Sequence, residues 1–401
     1  MRYIELSTIP SENLDFHYAK GADRLATPWQ VAMNRAEFLA TLPIPDGPIV
    51  DPACGSGIQM VAFANVLSRP ALGIELDEGT GEFAAQNIGS VLVSSPNIRG
   101  KSGIIIGDGR EAKLALEAAE ISDSVGFLHL DPARPKNSRT HGLDEMAPQI
   151  GETLSAWKPY LTTGERGPAI MLDLSPRLTD SLRTEVEEIV DSVWPNIGRT
   201  WEWTSRGRGR IDRLSLWLGA ASSIGIKRRF VRIPPDFEPT LIIQGAGRES
   251  EIQVSNRYSK PGDMIAIIDS ALVESGLVYS WFEDVLSGQS VEWLDVKGRR
   301  PTIRHSGLFD LPTPEHNLLI QAKGRVIATF NSPLDEEILE LIIDKAQAKS
   351  IGDIRVRARV NPREQPRLQS MLDRRLDDRA KGIAFVCNDL VDGSLLLCLM
   401  K

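Results

Sequence analysis

Short apolar runs alternate with longer amphipathic ones over the first half of the chain. "PIVDPAC" reads as a strand and "GIQMVAFANVL" as a helix; "PALGIEL" and "EGTGEFAAQNIGSVL" repeat the pair. "SGIIIGDG" is again strand-like and "REAKLALEAAE" helical, followed by "SVGFLHLDPAR", "PAIMLDL" and the helical "TDSLRTEVEEIVDSV". Runs bounded by Gly, Pro and Asp and alternating with helical periods predict a parallel sheet covered on both faces. Ahead of it, residues 1 to about 45 read as a helical segment. There "TPWQVAMNRAEFLATL" places Val31, Phe38 and Leu42 near one face, with Thr27 as N-cap and Pro28 in the first helical position. "RTWEWTSRGRGRIDRLSLWLG" breaks the rhythm: two strands flank a Gly/Arg turn, which predicts a hairpin.

The texture changes after about residue 222, where a domain boundary is expected. The domains are then 1–45, 46–222 and 223–401. In the last of these, "GDMIAIIDSALVESGLVYSWFEDVL" and "DEEILELIIDKAQAK" read as helices among short strands. "DIRVRARVNPR" reads as a strand with Arg355, Arg357 and Arg359 in one row and Val356, Ala358 and Val360 facing inward. No repeat and no long low-complexity linker interrupts the chain.

Ligands of doubly wound sheets bind outside the carboxyl ends of the strands, and those ends carry a consistent set here. After the first strand come Asp51, Ala53, Gly55, Ser56 and Gly57, a turn that lets a ligand lie against bare backbone and leads into a helix N-terminus. Glu75 ends the second strand and is placed to accept both hydroxyls of a ribose. Asp108 follows the third and suits an exocyclic adenine amine. Asp131, Pro132, Ala133 and Arg134 end the fourth. One Gly-rich turn is weak evidence; four acidic strand ends in register describe an adenosine-type pocket with a further site beside it. Nicotinamide binding fits less well. The third glycine of G-x-G-x-x-G is missing, and Asp51 would repel a pyrophosphate. A P-loop is excluded because no Lys-Ser/Thr follows the glycines.

Composition narrows the class rather than the chemistry. The 401 residues are 42% hydrophobic and 25% charged, ordinary for a globular protein. No apolar run is long enough for a membrane span, and the N-terminus lacks the apolar core of a secretory signal, so a cytoplasmic protein is expected. Cys54, Cys387 and Cys398 are too few and scattered for a disulfide framework or a zinc site. Cys54 reads as a packing residue of the turn, the other two as core. His129 shares a strand face with Asp131 and reads as a structural histidine rather than a catalytic one. The net charge of -8 argues against non-specific coating of nucleic acid, yet "SRGRGR", "KRR" at 227–229, "KGRR" at 297–300 and "RVRARVNPR" segregate positive charge. Such clusters suit RNA; solvated faces and ion pairs are the plainer alternative. Trp201, Trp203 and Trp217 are of a type that stacks on bases, although core packing is the commoner use.

"DPACGSG", "GIELD", "GDG" and "DPAR" resemble motifs one to four of class I S-adenosylmethionine-dependent methyltransferases. "ATPWQVAMNRAEFLA", "HLDPARP" and "EWTSRGRGRIDRLSLWLG" resemble a bacterial and archaeal branch with a THUMP-like C-terminal domain, similar to the trimethylguanosine-synthase-like group of RNA guanine-N2 methyltransferases. That branch ends its fourth motif in a second Arg where this chain has Pro135, and carries an acidic residue in the hairpin turn where this chain has Arg208 and Arg210. The resemblance implies a Rossmann-like, seven-stranded methyltransferase sheet with N-terminal helices, followed by a smaller α+β THUMP-like domain. It implies S-adenosyl-L-methionine as cofactor, no metal, and transfer to a base nitrogen of structured RNA. Asp131 would hold the acceptor amine, Pro132 would fix the turn, and Arg134 would bind a phosphate or carboxylate. Two other readings remain open: a binding scaffold without catalysis, and a small-molecule methyltransferase.

Overall fold

The computed structural model describes residues 1–7, 15–19, 26–122, 124–133, 142–235, 239–247, 254–296, 298–376, 379–391 and 393–400. The chain forms two compact units: Met1–Glu202 with Arg213–Arg228, and Trp203–Asp212 with Arg229–Lys401. No helix among the described residues is long and apolar enough to cross a membrane.

The first unit begins with a short strand, β1 (Arg2–Ile4), not with a helix, and α1 (Trp29–Ala40) is the one helix among its described residues before the sheet. β1 pairs antiparallel with β4 (Gly103–Ile106), where Ile4 lies opposite Ile104, and this tertiary pairing overrides the local pattern. α1 starts at Trp29 behind Pro28, with no side-chain cap. Thr27, expected in that role, accepts instead from Arg213 Nη2 at 3.0 Å.

The apolar runs then form β2 (Ile49–Asp51), β3 (Ala71–Glu75), β5 (Phe127–Leu130) and β6 (Ala169–Leu174), each parallel to its neighbour. Between them lie α2 (Ile58–Leu67), α3 (Glu78–Val91), α4 (Pro96–Arg99), α5 (Ala112–Ala118) and α6 (Ile150–Trp157). α7 (Asp180–Val193) leads to the expected hairpin, β7 (Arg199–Ser205) and β8 (Arg213–Gly219). The strand order is β1-β4-β3-β2-β5-β6-β8-β7, with β8 antiparallel to β6. The parallel strands are buried on both faces, which is why they read as unbroken apolar runs. Ala32, Ala36 and Leu39 of α1 pack with Met60 and Phe63 of α2 over Ile49, Phe127 and Met171 of the sheet. Phe63 meets Phe127 edge-on at 4.9 Å between centroids, and each such fully buried side chain contributes about 1.5–3 kcal/mol.

In the second unit the hairpin tip lies beside β9 (Arg228–Arg232), through Ile233 N to Ser205 O at 2.9 Å, and β10 (Leu241–Gly245) follows in the strand order. The rest is a mixed sheet, ordered β12-β13-β11-β14-β17-β16-β15. It comprises β11 (Met264–Ile268), β12 (Val291–Asp295), β13 (Thr302–His305), β14 (Ile320–Phe330), β15 (Ile351–Val356), β16 (Gly382–Asn388) and β17 (Leu395–Met400). Its helices are α8 (Ser270–Glu274), α9 (Val278–Val285), α10 (Glu336–Gln347) and α11 (Gln365–Arg375). Leu339, Ile342, Leu368 and Leu372 of α10 and α11 pack over Ile354, Val386 and Leu397. The stretch read as one long helix divides. "MIAII" is β11, hydrogen-bonded to β13 on one side and β14 on the other. A central strand buried on both faces shows no period-2 signal, and sequence alone does not separate it from a buried helix. Asp269 then caps α8 by accepting from Ala271 N at 2.8 Å.

Candidate functional site

β2 ends in Asp51, whose Oδ1 accepts from Ala53 N at 3.0 Å and so fixes the direction in which the chain leaves the sheet. Cys54 N donates to Ile74 O at 3.0 Å, which ties the turn to β3. Gly55 takes a positive φ of 51° and donates its N–H to Glu75 Oε2 at 3.1 Å. A Cβ built on Gly55 would meet no atom within 4 Å, so this backbone faces open space. Gly57, at φ 73°, caps α2, and there Ile88 and Ala84 would crowd a side chain. The other Glu75 oxygen accepts from Asp77 N at 2.9 Å. Burial raises the Glu75 pKa, partly offset by these backbone donors. Cys54 is buried, and burial beside Asp51 and Glu75 pushes its thiol far up, so it is a packing residue.

These groups open onto a cavity of about 1090 Å³ contained in the first unit. Asp51, Ala53, Gly55, Ser56 and Glu75 line it, as do Asp108, Asp131 and Pro132. Gly57 stands behind the lining, as the cap of α2. Arg134 and Pro135 lie outside the described residues. The strand order divides the cavity: β3 and β4 lie on one side of the β2–β5 pair, β6 and β8 on the other. The order reverses at β2–β5, the switch point at which open α/β sheets bind ligands.

On the β3–β4 side stand Glu75 and Asp108. Asp108 is not a bare acceptor. Both of its oxygens bind Arg110, Oδ2 to Nη2 at 2.6 Å and Oδ1 to Nε at 3.0 Å, and this pairing holds its carboxyl below the usual range. An adenine amine would share Asp108 with Arg110. Gly109 lies between them, and its carbonyl accepts from Trp157 Nε1 at 2.8 Å.

On the β5–β6–β8 side stand Asp131, Pro132, Arg177 and Arg213. Burial and the nearby Asp173 push the Asp131 carboxyl up to about 6, against the pull of Arg213 and His129. At pH 7 it is then mostly ionised, and it takes up a proton within one unit below. Beneath it lies a charged network that periodicity and motif spacing missed. His129 Nδ1 meets Asp51 Oδ2 at 2.6 Å and Nε2 meets Asp173 Oδ2 at 3.3 Å. Asp173 also takes Arg35 Nη1 at 2.9 Å and Ser215 Oγ at 2.6 Å, and Arg35 Nη1 reaches Gln59 Oε1 at 3.3 Å. His129, Asp51, Asp173 and Arg35 are all at most 2% exposed. Burial lowers the His129 pKa, but the two carboxylates outweigh it and raise the imidazole to about 10. The Asp173 carboxyl lies far below its usual range: Arg35, His129 and Arg213 overcome the cost of burial. The signal available in sequence was one charge inside each of two apolar stripes: Arg35 on the inner face of α1 and Asp173 in "AIMLDL".

The residues invoked for nucleic acid separate into exposed and internal ones. Trp201, Trp203 and Trp217 are buried, Trp201 donating to Glu187 Oε1 at 2.7 Å, so they do not stack on a base from outside. Arg229 of the "KRR" cluster is 1% exposed, and neighbouring Arg232 sits 3.5 Å from Asp269. β15 ends at Val356, yet the alternation continues past it: Val356 and Ala358 are buried, Arg355 and Arg359 exposed, Arg357 between. Within that row Arg359 pairs with Asp295, and Arg355 Nε lies 3.4 Å from Asp353. Cys387 and Cys398 are core residues of β16 and β17.

Neither the comparison with family models nor that with curated proteins finds a match. Among solved structures the chain is similar to an rRNA methyltransferase from Streptomyces viridochromogenes, at 18% identity over 53% of this chain and 91% of that one, TM-score 0.33. It is similar to an rRNA methylase from Streptococcus thermophilus at 12% identity, over 46% of this chain and 92% of that one, TM-score 0.31. A precorrin-6y C5,15-methyltransferase from Geobacter metallireducens GS-15 matches at 12% identity, over 51% of this chain and 93% of that one, TM-score 0.32. The reading of the site rests on its own geometry.

Proposed function

We propose that the first unit is an S-adenosylmethionine-dependent methyltransferase acting on a base nitrogen of structured RNA. One observation carries the reading: the acidic ends of β2, β3 and β5, the loop after β4 and a bare glycine turn surround a single cavity at the sheet's switch point. The residues fit the cofactor. Gly55 leaves room for a ligand where a Cβ would stand, and Glu75 is a half-buried carboxylate beside it, suited to a pair of ribose hydroxyls. The strand order also differs from that of nicotinamide sheets, in which the sixth strand directly follows the fifth. Here antiparallel β8 lies between β6 and β7.

Bound there, S-adenosylmethionine would supply an electrophilic methyl group. The protein's part is positioning and electrostatics. Asp131, ionised at neutral pH, accepts a hydrogen bond from an N–H of the acceptor and takes its proton on a carboxylate oxygen as the nitrogen becomes positive. Pro132 fixes the backbone after it. Arg177 and Arg213 put positive charge on the same side of the cavity, which suits an acceptor attached to phosphate. For the second unit we propose a THUMP-like role in gripping RNA through Arg355 and Arg357. The support is that Arg355 is exposed and Arg357 half-buried on that row, with Arg359 already paired to Asp295, and that "GDMIAIIDSALVESGL" and "IGDIRVRARVNPR" resemble stretches of a THUMP-like domain.

Calorimetry with S-adenosylhomocysteine and with NADH tests the cofactor. S-adenosylhomocysteine should bind and NADH should not; the reverse result would overturn the proposal.

A further inference from the structure

Asp51 and Asp131 serve opposite halves of the cavity, and one side chain lies between their supports. His129 is on β5, two residues before Asp131, and faces the same side of the strand. Its Nδ1 binds Asp51, whose other oxygen fixes the glycine turn through Ala53 N. Its Nε2 binds Asp173 on β6, the strand next to β5. Thus a single ring connects β2, β5 and β6 in the wall of the cavity. The charged groups around it are Asp51 on β2, Asp173 on β6 and Arg35 on α1, which itself lies 3.6 Å from Glu202 on β7. Asp131, directly after β5, and Arg213 on β8 complete the set. With a carboxylate oxygen at each ring nitrogen, only a ring protonated on both nitrogens donates to both. A neutral ring would leave one carboxylate facing a lone pair where all three groups are at most 2% exposed.

We propose that His129 is a positioning residue: a buried imidazolium that holds the glycine turn through Asp51 and, with Asp173, sets the charge in the cavity wall beside Asp131. This rests on the methyltransferase reading only where activity is the readout. Two effects are expected. Losing the ring's hydrogen bond to Asp51 loosens the turn. Losing its positive charge leaves Asp51 and Asp173 less compensated, which raises the Asp131 pKa; the acid limb of turnover, set by ionised Asp131, then moves to higher pH.

The direct test is nitrogen-15 NMR of the imidazole in the intact wild-type protein at pH 8. Both ring nitrogens should be protonated; a neutral ring at that pH overturns the inference without any variant having to fold. The second test is His129→Asn, with His129→Gln as the alternate, each assayed as a pH–turnover profile and by S-adenosylhomocysteine titration. The acid limb should rise by about one pH unit, with weaker cofactor binding. A folded variant with lowered turnover but an unmoved limb would leave His129 a packing residue only. Failure of the wild type to bind S-adenosylhomocysteine would instead sink the cofactor reading, whatever the NMR result.

Discussion

His129 makes stability depend on pH in a range where few other groups titrate. Its folded pKa is about 10 against an ordinary 6.5. A raised pKa gives stability that is complete below the unfolded value and is lost as pH rises toward the folded one. Between pH 7 and 8.5 the native state keeps the proton and the unfolded chain has released it, so stability should fall by about 1.4 kcal/mol per pH unit. Across that window the loss is about 2 kcal/mol. Burial also raises the thiols Cys54 and Cys398, with the same sign, and they contribute from about pH 8 upward, equally in wild type and variant. His305 and His316 are lowered by burial and act on the acid side. His129→Asn removes one partner of a buried charged group, which costs about 3–5 kcal/mol near neutrality. The assay is urea unfolding of both proteins at several pH values, followed by circular dichroism and compared as differences. The gap between wild type and variant should narrow by about 1.4 kcal/mol per pH unit. A gap constant from pH 7 to 8.5 would refute a buried imidazolium.

Other outcomes follow from the same geometry. Glu75→Ala removes a charged acceptor in the cavity and should weaken S-adenosylhomocysteine binding by about 1–3 kcal/mol in a calorimeter; unchanged affinity would place the ribose elsewhere. Asp131→Asn should cut turnover about 100-fold or more while sparing cofactor affinity. The wild-type profile should lose activity as pH falls through about 6, the direction in which this raised carboxyl is protonated. Arg355→Ala with Arg357→Ala should reduce the salt dependence of RNA binding by about 1.4–1.8 in log–log slope, if each meets one phosphate. A slope equal to the parent's would remove these two from the RNA surface.

Much of the first unit was legible because parallel strands covered on both faces leave unbroken apolar runs, each ending where the chain turns outward. Asp51, Glu75, Asp108 and Asp131 stand at or just after such ends, so one topological rule brought all four to one cavity. What distance in sequence concealed was pairing. Arg35 and Asp173 are 138 residues apart and Asp51 and His129 are 78 apart, and nothing local says that these charges meet. Asp108 reaches the same cavity, but nothing local shows that Arg110, two residues on, folds back on its carboxylate. Charge clusters do not reveal burial either: Arg229 is as basic in sequence as Arg228, but β9 is covered on both faces from Arg229 to Arg232. "MIAII" carries no period that would mark it as a strand, since a strand hydrogen-bonded on both edges and buried on both faces has none.

The central claim is methyl transfer to an RNA base, and the most direct measurement is mass spectrometry of nucleosides from total RNA of cells with and without this protein, the latter complemented by wild type or Asp131→Asn. The account predicts one methylated base that disappears without the protein, returns with the wild type and does not return with Asp131→Asn. Identical nucleoside profiles in all four samples, from a protein that binds S-adenosylhomocysteine, would contradict it.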